Sequence, residues 1–86
     1  MKAYVKTYIK HFNYCEQDYI PSEISGSPAV DIHHIKYGRY KRDDSIENLI
    51  ALTREEHNLA HEKKLSEEYL QKIHLDFLDK KSKIKI

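Results

Sequence analysis

The sequence predicts a small α+β domain, in which a two-stranded hairpin runs directly into a helix and further helices stand before and after it. Three observations predict this. Two short runs, "AVDIHHI" (29–35) and "LIAL" (49–52), carry the β-branched and apolar content of strands. Thr53 precedes "REEHNLAH" with Glu56 three positions on, which is a capping box followed by an acidic first turn. Apolar residues recur at helical spacing in 4–12 and again in 65–78. A chain of 86 residues holds one such domain, and a second independent core is excluded by size.

Each element has its own signal. At the amino end Tyr4, Val5, Tyr8, Ile9 and Phe12 form a stripe one helical face wide, which predicts a helix over about 2–13. Its aromatic and β-branched content leaves a strand as the alternative. "PSEISGSP" (21–28) holds both prolines and one of the two glycines and reads as a loop. The first strand follows over 29–35, then "KYGRYKRDDSIEN" (36–48) as an exposed loop and "LIAL" as the second strand. A second helix starts after Thr53 and a third at Ser66. The third carries Leu65, Tyr69, Leu70, Ile73, Phe77 and Leu78 as a core-facing stripe over about 66–79. Residues 80–86 read as a frayed basic tail.

Composition narrows the function classes. Hydrophobic residues make up 40% of the chain and charged residues 34%, with a mean hydropathy of −0.79. That suffices for a modest core and disfavours wholesale disorder. A core so small gains from a bound metal or a partner subunit. The net charge of +1 names no partner, but "KYGRYKR" gathers four cations into seven residues. The single cysteine, Cys15, excludes an internal disulfide and suits a reducing compartment. No apolar run is long enough to span a bilayer and no leader is evident, so the expectation is a soluble intracellular protein with no membrane partner.

The histidines carry the chemistry. His57 and His61 stand four apart in "HNLAH", so both imidazoles project from one helical face as a natural bidentate site for a transition metal. A hairpin entering that helix brings the end of its first strand beside the helix's first turns. Adjacent residues of a strand face opposite ways, so His33 and His34 suit different tasks. His33, turned toward the helix, completes a three-imidazole site with positions left for water and phosphate. His34 then faces the other side, where it can accept a proton near neutral pH.

The stretch from Ala29 to His61 resembles the HNH nuclease family, with His33-His34, Asn48, His57 and His61 at the matching positions. The separations, 14 residues from His34 to Asn48 and nine from Asn48 to His57, are similar to those of the bacteriocin (colicin-type) nucleases. The wording "AVDIHHI…ENLIAL…EHNLAH" is closer still to small phage and prophage HNH proteins. The resemblance implies a ββα-metal core over 29–62 within a single domain, 1–86. It implies a metal-dependent endonuclease that hydrolyses DNA phosphodiester bonds, in the cytoplasm of a bacterial or phage-infected cell.

Carried over by position, His34 is the general base that activates a water. His33, His57 and His61 hold one divalent ion (Mg²⁺, Mn²⁺, Ni²⁺ or Zn²⁺) at the scissile phosphate. Asn48 ties the loop so that the base keeps its orientation, and Asp31, two residues before His33, accepts a proton from a ligating imidazole. Relatives of this kind often carry two Cys-x-x-Cys knuckles for a structural zinc. Here Ser22 and Ser25, then Thr53 and Glu56, occupy the matching positions. No separate structural zinc is expected, with Thr53 and Glu56 capping the helix and apolar packing of the flanking helices replacing the knuckle.

Lys36, Arg39, Lys41 and Arg42 follow the proposed base immediately and are candidate phosphate contacts, with Tyr37 and Tyr40 interleaved. Binding of this kind is mostly electrostatic and weakly sequence-selective. Asp43 and Asp44 neutralise or end that loop, and His11 and His74 on the flanking helices have no catalytic role. One rival reading is a non-catalytic module that keeps the fold to bind nucleic acid or a protein. Another is a closed structural zinc site, for which a fourth protein ligand is missing.

Overall fold

The structure, a computed structural model, describes residues 2–15, 19–36 and 43–84, with the backbone alone for 82–84. The described residues form a small α+β fold of three helices and a two-stranded antiparallel hairpin. In chain order these are helix α1 (Ala3–His11), strand β1 (Asp31–His34), one 3₁₀ turn (Ile46–Asn48), strand β2 (Leu49–Leu52), helix α2 (Arg54–His61) and helix α3 (Glu67–Ile84). Among the described residues no helix is long and apolar enough to cross a membrane.

The hairpin organises the rest. Its register pairs Asp31 with Leu52, Ile32 with Ala51, His33 with Ile50 and His34 with Leu49. All four residues of β2 are buried, and the two-residue alternation of a strand divides them between two packing layers. Leu49 and Ala51 pack with Tyr8 of α1, and Phe12, Ile32 and Ile46 close around them. Ile50 and Leu52 pack on the other side with Ile35 and Leu70, joined by Ala60, Leu65 and Ile73. Partners across the register share a face, so Asp31 and His33 belong to the α2–α3 side and Ile32 and His34 to the α1 side.

Local rules account for most boundaries. The capping box forms as the sequence predicts: Thr53 Oγ1 accepts from the Glu56 amide at 3.1 Å, and Glu56 Oε1 accepts from the Thr53 amide at 2.9 Å. α1 is a helix rather than the alternative strand, because Tyr8 and Phe12 on one face meet both β2 and Phe77 of α3 (ring centroids 5.3 Å apart for Phe12 and Phe77). The loop 21–28 folds back on itself through a Pro21–Pro28 bridge and a Ser22 amide bond to the Ser27 carbonyl. Gly26 turns it at a φ of 79°, a conformation glycine takes without strain.

Four expectations are corrected. The first strand is shorter than 29–35: it spans Asp31–His34, and although the Val30 amide still bonds to the Leu52 carbonyl, the Ala29 amide turns away to the Ile20 carbonyl. The 36–48 loop is not exposed throughout: it closes in the 3₁₀ turn and buries Asn48. The tail does not fray at 80, and α3 runs on to Ile84. Lysines suit the C-terminal end of a helix dipole, and the Lys81 ammonium lies 5.4 Å from the Phe77 ring one turn back. Finally, Tyr69 of the α3 stripe is exposed, and the polar His74 takes a fully buried place instead.

His74 is buried because every polar atom around it is satisfied. Its Nδ1 lies 2.7 Å from Glu23 Oε1 and its Nε2 donates to the Ile46 carbonyl at 2.5 Å. Glu23 Oε2 accepts from the Tyr8 hydroxyl at 2.6 Å, and burial, then the Glu23 charge, pushes that hydroxyl far above the usual tyrosine range. This network ties α1, the 21–28 loop, α3 and the 3₁₀ turn together, and so holds the turn that presents Asn48.

Candidate metal centre

His57 and His61 lie one helical turn apart on α2, with their Nε2 atoms separated by 2.9 Å. β1 brings His33 against them, ring centroids 5.0 Å from His57 and 5.5 Å from His61. One ring nitrogen from each of the three lies within 4.8 Å of the others. Asp31, on the same strand face as His33, places Oδ2 3.0 Å from His57 Nδ1. A carboxylate there accepts a hydrogen bond from Nδ1–H, which leaves the Nε2 lone pair on the side of His61.

The electrostatics favour the ligand form. Burial first, then the neighbouring imidazoles of His57, His61 and His34, pushes His33 down from 6.5 to about 4, against the pull of Asp31. At neutral pH it is therefore an uncharged imidazole, the state that coordinates a metal. His33 is buried, His57 half-buried and His61 exposed, so the cluster is anchored on the strand and opens to solvent at the helix. Three neutral imidazoles in this arrangement can hold a borderline divalent ion.

His34 turns to the opposite side, as strand geometry requires. Its Nε2 lies 2.7 Å from Asp44 Oδ1, and the Tyr4 ring meets it edge-on at 4.5 Å. Asn48 clamps the two ends of the preceding loop. Its Nδ2 donates to the Lys36 carbonyl at 2.9 Å and the Asp43 carbonyl at 2.8 Å, while its Oδ1 accepts from the Lys36 amide at 2.9 Å. Lys36 is exposed. Arg39, Lys41 and Arg42, with Tyr37 and Tyr40, lie outside the described residues.

Sequence reasoning missed two neighbours of the site. Asp44 does more than end the loop, because it faces the His34 ring; only Asp43 acts locally, its carboxylate accepting from the Ser45 amide at 2.9 Å. Arg54 places Nε 3.0 Å from Asp31 Oδ2 and so sets a cation beside the histidine cluster. Its one sequence signal is its position directly after the Thr53 cap. Ser22, Thr53 and Glu56 also meet as a hydrogen-bonded group, so more than apolar packing joins this corner. Ser22 Oγ donates to Glu56 Oε1 at 2.5 Å and binds the 21–28 loop to α2. Burial would raise the Glu56 carboxyl, but hydrogen bonds from Ser22, Thr53 and Ser25 hold it below its ordinary value.

Compared with family models, with curated proteins and with solved structures, the chain matches none.

Proposed function

We propose that this protein is a metal-dependent endonuclease of the HNH type, with a ββα-metal core that hydrolyses DNA phosphodiester bonds in the cytoplasm of a bacterial or phage-infected cell. The observation that carries the reading is the division between adjacent histidines. His33 joins His57 and His61 on one face of β1, while His34 meets Asp44 on the other. A nuclease of this kind needs charge neutralised on one side of phosphorus and a proton removed on the other.

His33, His57 and His61 would hold one divalent ion, Mg²⁺, Mn²⁺, Ni²⁺ or Zn²⁺. When bound, the ion supplies Lewis-acid neutralisation at the scissile phosphate and the departing 3′ oxygen. Asp31 fixes the His57 tautomer that offers Nε2 as a ligand. Asp44 accepts a hydrogen bond from Nε2–H of His34, which puts the lone pair of that ring on Nδ1, the atom assigned to take a proton from the attacking water. Asn48 keeps the loop closed behind the base. Lys36, with Arg39, Lys41 and Arg42, supplies non-specific attraction for the DNA backbone.

The test is cleavage of supercoiled plasmid with each of the four metals, with and without chelator. Chelator-sensitive cutting by the wild type that His34→Ala abolishes is the expected result. Equal cutting by His34→Ala overturns the mechanism. Metal binding without cutting under every metal favours the non-catalytic module.

A further inference from the structure

The surface beside the histidine cluster opens into a cavity of about 440 Å³, of which His33 and His61 form one wall. The half-buried Ala60 and Leu65 give it an accessible apolar lining above the buried Ile35 and Leu70, and the exposed Lys63 and Glu67 line it as well. The cavity therefore runs from two of the three candidate ligands down to the apolar layer beneath α2 and α3. Its volume lies within the roughly 300–1,000 Å³ typical of small-molecule sites, and an apolar lining with a few polar groups is their usual construction.

A phosphate held at the cluster carries a nucleoside as its next covalent group, within reach of this opening. A nucleobase fits the chemistry: its flat faces suit the half-buried Ala60 and Leu65, and its N–H edge suits the exposed Glu67 carboxylate. The Lys63 ammonium adds attraction for the strand. A base stacked and paired in a duplex presents no face to such a cavity, and freeing it costs least where it is already unpaired. We propose that this cavity receives the base adjoining the phosphate at the histidine cluster, which makes single-stranded or locally unpaired DNA the preferred substrate. The proposal rests on the nuclease reading above.

The test reads binding separately from cleavage. Fluorescein-labelled 12-mers, single-stranded and duplex, are titrated with Zn²⁺-loaded protein and followed by anisotropy. The single strand should bind about tenfold more tightly, the scale of burying one apolar group. Ala60→Phe, which fills the cavity from α2, should remove that preference while far-UV circular dichroism remains unchanged. Thymidine 5′-monophosphate should shift the backbone amide signals of Ile35, Lys63 and Leu70 in the Zn²⁺-loaded wild type, a measurement independent of any variant's folding. Equal affinity for both 12-mers, or nucleotide-induced shifts confined to other residues, overturns the cavity assignment and leaves plasmid cleavage to judge the nuclease reading. Selective binding with no cleavage under any metal supports the cavity and overturns the nuclease reading alone.

Discussion

The buried His74 and the cluster of His33, His57 and His61 belong to the same small domain and illustrate two uses of one side chain. His74 is sealed from solvent, with Glu23 on one ring nitrogen and the Ile46 carbonyl on the other. Both nitrogens are committed to hydrogen bonds, so the ring serves as a brace. His33, His57 and His61 instead turn ring nitrogens toward one another at an edge that reaches solvent. Adjacent imidazoles repel each other when charged and cooperate only when neutral, which is the condition for coordinating a cation. Burial alone does not separate the two groups, since His33 is nearly as enclosed as His74. The identity of the partners does.

Substitutions can break this comparison, starting with the largest effect. His34→Ala should lower the cleavage rate by roughly 10²- to 10⁴-fold, the usual contribution of a general base, while Zn²⁺ affinity measured by calorimetry stays near that of the wild type. His74→Ala should cost about 3–5 kcal/mol of folding stability in urea titrations, because it leaves the buried Glu23 with the Tyr8 hydroxyl but without its ion-pair partner. His61→Ala, at an exposed position, should change stability by no more than about 0.5 kcal/mol yet weaken metal binding sharply. If the two histidine variants prove equally destabilising, the distinction between brace and ligand fails.

A finer distinction concerns Asp31. Asp31→Asn preserves shape but weakens the hold on His57 Nδ1, and metal affinity should fall roughly 10- to 100-fold with little change in the urea midpoint. The last distinction appears only in acid stability in the presence of chelator. His33 takes up its proton near pH 4 when folded and near 6.5 when unfolded. Between those values the unfolded chain binds the proton that the folded chain refuses, so the contribution of His33 is constant above 6.5 and falls as pH drops toward 4. His33→Gln should flatten that part of the stability profile relative to wild type.

Legibility in the sequence followed range. The capping box, the "LIAL" strand and the opposed faces of His33 and His34 rest on residues within a few positions of each other, where backbone periodicity and capping chemistry act directly. The meeting of β1 with α2 is readable because the strand paired with β1 leads straight into the helix. The Glu23–His74 pair spans 51 positions, and neither residue carries a local mark of it. His74 read as a flanking-helix histidine, while Tyr69 looked better suited to the core than it is. The Ser22–Glu56 contact spans 34 positions. The matching of these positions to a zinc knuckle hinted that they belong together, without revealing a hydrogen bond between them.

The sequence by itself determined the hairpin, the helix that follows it and the opposite placement of two adjacent histidines, since all three come from backbone geometry over short spans. Tertiary structure decided which carboxylates meet which imidazoles: Asp31 with His57, Asp44 with His34 and Glu23 with His74. Such pairs form where packing brings groups far apart in the chain within hydrogen-bond reach, and only the assembled layers on either side of β2 determine where that happens.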